Sequence, residues 1–245
     1  IAHRSNSVSQ WNDKSGNGYH ASAATGQEPT TGSSINGKNV LAWSLGKKMK
    51  RTAPSGANWQ DVYVVGQWTG GVTFDNVPGI FGGTTSAGSD NGVVGGNNSG
   101  AGLWFSNWTD NFYLNGTSNN GSSVVSSMSS PFLISFSKNS AVSINGYQVG
   151  ADRTNNGREW KGTFGEILAF NSKLSDADRQ KIEGYLANKW GINGKLPSTH
   201  PYVASMPGSF GNVNLGQTTM GLTGLTESTT YNIRVQATNS GGSRL

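Results

Sequence analysis

The sequence predicts an all-β protein, an antiparallel β-sandwich with one peripheral α-helix near residues 175–190. Composition is the first reason: Gly, Ser, Thr and Asn supply nearly half of the 245 residues, and charged residues supply only 13%, about half of the usual quarter. Such a composition is typical of strands and polar turns and excludes a helical bundle. The second reason is that short apolar runs alternate with Asn-Gly dipeptides, which readily form the tight turns of β-hairpins.

Six runs rich in β-branched and aromatic residues are predicted as strands: 39–44, 61–68, 102–105, 132–137, 141–144 and 163–170. The run Phe-Leu-Ile-Ser-Phe-Ser ends in apolar/polar alternation, which is typical of a strand with one face on a core and one on water. Asn-Gly dipeptides begin at positions 17, 36, 91, 115, 120, 145, 156 and 193, and several are predicted as hairpin tips. Two such sheets packed face to face form a sandwich.

The segment LSDADRQKIEGYLANKW, residues 174–190, is predicted as the helix. Ser175 is a good N-cap, and Gly191 is placed to end the helix. One face carries an apolar stripe, Ile182, Tyr185, Leu186 and Trp190. We expect the helix to lie across one edge or end of the sandwich, with Trp190 as its anchor. Its charged residues are predicted to form a solvated face: Asp176, Asp178, Arg179, Lys181 and Glu183.

Three parts of the chain are distinguished: a main domain at 1–204, a linker at 205–210 and a β-rich segment at 211–245. The last is too short for a core of its own. We therefore expect it to pack on the main domain, or to be completed by a further segment or a partner. The sequence has no Cys, which excludes disulfides and thiolate zinc sites. It also has no apolar run of membrane-spanning length, so membrane insertion is not expected.

Basic residues are concentrated at one place: Lys47, Lys48, Lys50 and Arg51 supply four positive charges, and the net charge of the chain is +5. Nucleic-acid binding is not predicted, because no recognition helix or interleaved aromatic face accompanies the charge. Two interpretations stay open. The cluster is a solvated hairpin whose lysines protect an exposed strand, or it contacts an anionic glycan or envelope polymer.

Three segments carry a family resemblance. SNSVSQWNDKSGNGYHASA (5–23) resembles the opening of concanavalin A-like lectin/glucanase domains of the laminin G type, and AVSINGYQVG (141–150) looks like a strand, Asn-Gly, strand hairpin of that family. GTFGEILAFNSKLSDADRQKIEGYLANKWGI (162–192), followed by LPSTHPY, resembles the closing strand and helix of bacterial and phage-encoded members. The resemblance implies a jelly-roll sandwich. LTGLTESTTYNIRVQATNSGG (222–242) is similar to the final strands of a fibronectin type III-like module.

The family contains glucanases, but an enzyme is not predicted. Retaining glycosidases need two carboxylates about 5 to 5.5 Å apart, and the glucanase relatives carry them on a Glu-x-Asp-x-x-Glu strand that this sequence lacks. The nearest candidate is Glu166, whose i+2 and i+4 neighbours are Leu168 and Phe170. A glucanase-type activity would require a second carboxylate near Glu166.

Calcium is the metal that the resemblance implies, as a structural ion with Asp13 and Glu166 as candidate ligands. Calcium takes carboxylate and carbonyl oxygens from irregular loops, and Asp13 lies in the loop WNDKSGNG. The alternative is an Asx-turn, in which the Asp13 carboxylate caps the backbone of Ser15 or Gly16.

Carbohydrate recognition requires aromatic faces that stack on sugar rings and amides or carboxylates that bind hydroxyls. The segment 104–113 supplies this mixture most densely, and because Trp104 and Phe105 point oppositely on one strand, only one can be exposed on a given face. The predicted ligand-binding residues are Asn107, Trp108, Asp110 and Tyr113, with Trp68, Asp75 and Asn76 as a second group.

Two functions follow as hypotheses. The first is a non-catalytic recognition module on an extracellular, cell or virion surface that binds a glycan or cell-envelope polysaccharide. The second is a virion or surface-array structural protein, such as a capsid decoration or tail fibre, in which the sandwich serves assembly with neighbouring subunits or virion proteins.

Overall fold

A computed structural model of the chain describes residues 6–52, 58–84, 93–106, 109–143, 146–153, 155–204, 238–239 and 242–243. The chain divides into two compact units, residues 1–207 and 208–245. Within the second unit, the described residues form one antiparallel pair, Thr238–Asn239 with Gly242–Ser243. The predicted linker at 205–210 and most of the fibronectin-like segment lie outside the described residues.

The described part of the first unit is built mainly from strands. In chain order they are β1 (Gln10–Trp11), β2 (Ala21–Ser22), β3 (Thr30–Ile35), β4 (Lys38–Trp43), β5 (Met49–Thr52), β6 (Asn58–Trp68), β7 (Gly79–Gly83), β8 (Val93–Gly96), β9 (Leu103–Ser106), β10 (Asn111–Leu114), β11 (Thr117–Ser118), β12 (Phe132–Ser143), β13 (Gly146–Val149) and β14 (Gly162–Phe170). A short helix, α1 (Val125–Met128), precedes β12, and the long helix α2 (Asp176–Lys189) follows β14. A turn of 3-10 helix comes after α2, at Asn193–Lys195.

These strands form two antiparallel sheets of seven strands each. Sheet I has the order β1-β2-β5-β13-β7-β8-β9, and sheet II has the order β11-β10-β12-β6-β14-β4-β3. Strands far apart in sequence are neighbours: β13 lies between β5 and β7, and β6 lies between β12 and β14. The predicted all-β, antiparallel class is confirmed.

One hydrophobic core fills the space between the sheets, which makes the unit a β-sandwich. Sheet I contributes Met49, Ile80, Phe81, Val94 and Val149, and sheet II contributes Val62, Val64, Phe132, Ile134 and Phe164. Along β6 the side chains alternate, so Val62 and Val64 enter this core while Tyr63 and Val65 point to the outer face of sheet II.

Most predicted strands coincide with observed ones, but the hairpin predicted around the Asn-Gly at 145 is wrong. The predicted strand 132–137 and residues 141–143 of the next predicted strand are parts of the single strand β12, which passes through a register shift after Ser137. β12 lies in sheet II and β13 in sheet I, so the chain crosses between sheets there. Asn-Gly permits a tight turn, but pairing with β5 and β7 decides the position of β13.

The Asn-Gly at 36 does join two paired strands. Asn36 (φ 47°) and Gly37 (φ 78°) both have the positive φ of a type I′ turn between β3 and β4. The same turn contacts the end of α2, because the Asn36 amide donates to the carbonyl oxygens of Trp190 at 2.9 Å and Gly191 at 3.0 Å.

The helix α2 begins at its predicted cap, since the Ser175 hydroxyl accepts a hydrogen bond from the Asp178 backbone N–H at 3.1 Å. It packs on the outer face of sheet II instead of an edge or end, and Leu186 and Trp190 join Tyr63 and Val65 in a second hydrophobic cluster. Close approach depends on Gly165 of β14, because a Cβ there would lie 2.6 Å from the Trp190 ring.

Candidate functional site

Trp104 is the exposed aromatic residue of the outer face of sheet I. It lies on the edge strand β9, opposite Gly95 of β8. The neighbouring Val94 points into the core, so alternation along the strands turns Gly95 and Trp104 outward. Trp104 is 36% exposed, and every other described aromatic side chain is more buried.

Arg153 covers part of the Trp104 ring, with its guanidinium carbon 5.1 Å from the ring centroid. This arginine belongs to the connection between β13 and β14 and has a left-handed backbone (φ 49°), which is uncommon for a non-glycine residue. Its carbonyl oxygen accepts a bond from Gln148 of β13 at 2.6 Å. The connection therefore lies against the outer face of sheet I.

Asp152 holds the side chains of this connection together. Its buried carboxylate accepts hydrogen bonds from Arg153 Nε at 2.5 Å, Arg158 Nη1 at 2.7 Å and Asn155 Nδ2 at 3.2 Å. Two guanidinium groups against one carboxylate leave a net positive charge beside Trp104. We call these five residues the Trp104 surface: Trp104, Asp152, Arg153, Asn155 and Arg158.

The chemistry of the Trp104 surface suits a polyhydroxylated ligand. A partly exposed indole offers an apolar face to sugar C–H groups, and Arg158, whose side chain is 32% exposed, offers donors to hydroxyl or carboxylate oxygens. Because Arg153 and Arg158 are already oriented by Asp152, binding would not have to order them.

The predicted ligand residues of segment 104–113 are only partly described, since Asn107 and Trp108 lie outside the described residues. Asp110 accepts hydrogen bonds from Lys138 Nζ at 2.9 Å and from the Asn139 backbone N–H at 2.7 Å. The Asn139 bond and then the Lys138 contact hold the pKa of Asp110 below its ordinary value. This carboxylate thus fixes the irregular part of β12.

Tyr113 lies on the outer face of sheet II, away from the Trp104 surface. Its ring is covered on one side by Arg179 of α2, at 3.7 Å from guanidinium carbon to ring centroid. Tyr113 stands opposite Ser135 in the sheet, and it remains partly exposed.

The second predicted group, Trp68, Asp75 and Asn76, does not form an aromatic surface. Trp68 is 1% exposed, and its indole N–H donates to the Gly71 carbonyl oxygen at 2.9 Å, so its ring offers no face to a ligand. Asp75 pairs with Lys161 at 2.7 Å, and the Asn76 amide donates to the Gly157 carbonyl oxygen at 3.0 Å. A sandwich core needs large side chains, and Trp68 supplies one.

Two of the four basic residues, Lys47 and Lys48, precede β5, and the other two, Lys50 and Arg51, are consecutive on β5 and so point to opposite faces of sheet I. Lys47 Nζ donates to the Gly26 carbonyl oxygen at 3.0 Å, and the Arg51 guanidinium lies 5.2 Å from the Tyr19 ring centroid. Lys48 is nearly buried and pairs with Glu159 at 3.9 Å. Lys50 is exposed on β5, so these four side chains do not form one continuous cationic surface.

The candidate calcium ligands do not fit one site. Asp13 lies in the loop between β1 and β2 of sheet I, where it accepts hydrogen bonds from the Ser15 N–H at 2.8 Å and the Tyr19 N–H at 3.0 Å. Glu166 lies in sheet II, where its carboxylate accepts bonds from Lys189 Nζ at 2.9 Å and Trp190 Nε1 at 2.8 Å. No group of three metal-ligating side chains occurs among the described residues.

A buried network of polar side chains lies under α2, and the sequence did not indicate it. Glu183 is fully buried and accepts bonds from Arg179 Nη1 at 2.7 Å and Ser135 Oγ at 2.8 Å. Its Oε2 also lies 3.3 Å from His200 Nε2. The prediction that Glu183 and Arg179 belong to a solvated face was therefore wrong: Ser135 and Tyr113 place polar groups on the outer face of sheet II, and a carboxylate with partners can be buried there.

A small cleft of about 170 Å³ opens between β1, β4 and β14. Its lining is mostly apolar, with no titratable side chain: Val8, Trp11, Thr31, Asn39, Val40, Leu41, Phe164 and Gly165. The lining of this cleft therefore offers no side chain that could act as a general acid or base.

Comparison of the chain with protein-family models, with curated proteins and with solved structures found no match. Among the described helices, none combines the length and the apolar character that crossing a bilayer requires.

Proposed function

We propose that this chain is a non-catalytic recognition module that binds carbohydrate on a cell or envelope surface, outside the cell or on a virion. The Trp104 surface is its binding site. The observation that carries the proposal is an exposed indole on the edge strand β9, with Arg153 against its ring and with Arg153 and Arg158 held by one buried carboxylate.

The local geometry supports this assignment in two ways. Trp104 stands opposite Gly95, so this cross-strand neighbour places no side chain against the indole, and Arg153 covers only part of the ring. An exposed tryptophan also costs free energy in water, and a ligand that covers its ring recovers that free energy.

The fold proposal is a concanavalin A-like jelly roll. Two antiparallel seven-stranded sheets support it, as does a helix directly after the last strand of the sandwich, where the resemblance expects one. The non-catalytic character is supported by Glu166, whose two oxygens accept bonds from Lys189 and Trp190 and whose neighbours Leu168 and Phe170 are apolar.

The test is a glycan array with the whole chain, followed by calorimetric titration of the best ligand against wild type, Trp104→Ala and Val72→Ala. We expect Trp104→Ala to lose roughly 10-fold or more in affinity, because removing a contact of about 1.5–3 kcal/mol has that effect. Val72 is an exposed apolar residue, 88% exposed, outside the Trp104 surface, so Val72→Ala should bind as wild type does.

Equal affinity of wild type and Trp104→Ala would remove Trp104 from the site. Absence of any glycan ligand, together with a stable assembly in native mass spectrometry, would favour the structural function in a virion or surface array.

A further inference from the structure

Three side chains with complementary reactivity meet on the outer side of sheet I. The amine of Lys48, just before β5, lies 3.3 Å from the side-chain carbonyl oxygen of Asn156. The same amine lies 3.9 Å from Oε1 of Glu159. The carboxamide of Asn156 and the carboxylate of Glu159 thus both lie within contact distance of the Lys48 amine.

Burial distinguishes the Lys48–Glu159 pair from an ordinary surface ion pair, while Asn156 at its rim is exposed. The side chains of Lys48 and Glu159 are 12% and 2% exposed. Glu159 Oε2 is buried and has no hydrogen-bond partner among the described residues. A buried carboxylate oxygen without a donor is costly, so Oε2 is free to accept a hydrogen bond from a neighbouring donor.

The backbone holds the amine and the amide independently. The Lys48 N–H donates to the Gln27 carbonyl oxygen at 3.0 Å, which fixes the segment before β5. On the other side, the Gly157 carbonyl oxygen accepts from the Asn76 amide, and Glu159 pairs with Ala151 in an isolated bridge. Groups brought into contact by separately anchored backbone segments react at raised effective concentration.

We propose that Lys48 and Asn156 form an intramolecular isopeptide bond, with Glu159 as the proton carrier. Glu159 takes a proton from the Lys48 ammonium, and the neutral amine attacks Cγ of Asn156. The new bond joins Nζ to Cγ, and the Cγ–Nδ2 bond breaks. Glu159 returns the first proton to Nδ2, which leaves as ammonia, and then takes the second proton from Nζ and releases it to solvent, so that the product is a neutral secondary amide. No oxidant or cofactor is required.

The bond would give this chain a covalent clamp without cysteine. It would join residues 108 positions apart, linking the segment before β5 to the connection between β13 and β14. The Trp104 surface is built on that connection, but the inference does not depend on what the surface binds.

The test is the intact mass of the purified whole chain, followed by a tryptic peptide map. We expect a mass lower than the sequence mass by one ammonia, and the peptides containing Lys48 and Asn156 should elute as one linked species. Lys48→Arg and Glu159→Gln should each restore the full mass calculated for the variant. The matched control is Lys47→Arg, because the Lys47 amine contacts a backbone carbonyl oxygen; this variant should keep the ammonia loss.

A succinimide at the Asn156-Gly157 dipeptide would also lose ammonia, so the peptide map must separate the two products. A succinimide is cleaved by hydroxylamine and persists in Lys48→Arg, and finding either would overturn the proposal. Wild-type protein with the full sequence mass and separate Lys48 and Asn156 peptides would overturn it as well. The wild-type measurement does not depend on whether any variant folds.

Discussion

Arg179 pairs with two acidic side chains of very different exposure. Glu183 is buried and Asp176 is 85% exposed. Glu183→Ala should lower the free energy of unfolding by about 3–5 kcal/mol, because it removes the buried partner of Arg179 and Ser135. Asp176→Ala should cost at most about 1 kcal/mol, since an exposed pair is screened by solvent. Urea denaturation of the two variants measures both effects, and equal losses would contradict the role assigned to burial.

The Asp13 carboxylate should make stability depend on pH in the acid range. Partial burial acts to raise the pKa of Asp13, but hydrogen bonds from Ser15 and Tyr19 outweigh it and the pKa is lowered. A lowered folded-state pKa gives stability that is present above the unfolded pKa, near 3.8, and is lost as pH falls through the folded value.

We therefore expect Asp13→Ala to be less stable than wild type at pH 7, by roughly 1 kcal/mol, the usual contribution of a capping side chain. The difference should shrink below about pH 4 as the wild-type carboxylate is protonated. Thermal unfolding of both proteins at several pH values checks this. A difference that stays constant down to pH 2 would show that Asp13 acts through packing alone.

Single residues were predictable where their partners are close in sequence. The Ser175 cap and the Asx-turn of Asp13 involve partners two or three positions away. The burial of Glu183 depends on Ser135, 48 positions away in the sequence. A local sequence pattern cannot indicate a partner at that separation. Helical periodicity placed Glu183 among charged neighbours, which is why it was assigned to solvent.

Among the connections between elements, Gly150 combines two constraints that can be separated by experiment. Gly150 and Gly37 share a φ of 78°, but a Cβ at Gly150 would lie 2.2 Å from the Trp43 ring, whereas a Cβ at Gly37 meets nothing within 4 Å. Gly37→Ala should cost about 1–2 kcal/mol, the strain of a left-handed backbone. Gly150→Ala should cost about 1–3 kcal/mol more, because the indole must move in a packed core.

Chemical denaturation of the two glycine variants measures the difference between them. A Gly150→Ala variant no less stable than Gly37→Ala would mean that the contact with Trp43 is relieved at no cost. Either result isolates the packing contribution, because the backbone strain is matched.

Elements were predictable from periodicity, and their neighbours were not. The strands β4, β6, β9, β12 and β14 and the helix α2 follow patterns of period 2 or 3.6 in the sequence. The side of sheet II on which α2 packs depends on Gly165 and on two polar residues that stand opposite each other in the sheet, Tyr113 and Ser135. The crossing from β12 to β13 depends on β5 and β7, about 95 and 65 residues earlier in the chain.

At the scale of the whole molecule, the candidate site combines a predictable part and an unpredictable part. The density of aromatic residues predicts segment 104–113 as a candidate site. Strand alternation predicts that only one of Trp104 and Phe105 faces outward. Arg153 and Asp152 belong to the connection between β13 and β14, whose composition does not indicate a binding site. Only folding brings them close to Trp104. A loop that crosses a sheet leaves no periodic signal.

The place of β14 has a consequence for how the chain is made. This strand, Gly162–Phe170, pairs with β4 on one side and β6 on the other, although both precede it by about 100 residues. During synthesis, β4 and β6 therefore emerge before β14, the strand that lies between them in sheet II. Pairing across such sequence distances is slow, and exposed strand edges invite association with other chains. The ribosome must release β14 before sheet II can close, so nascent chains from which β14 has not yet emerged would need protection from aggregation.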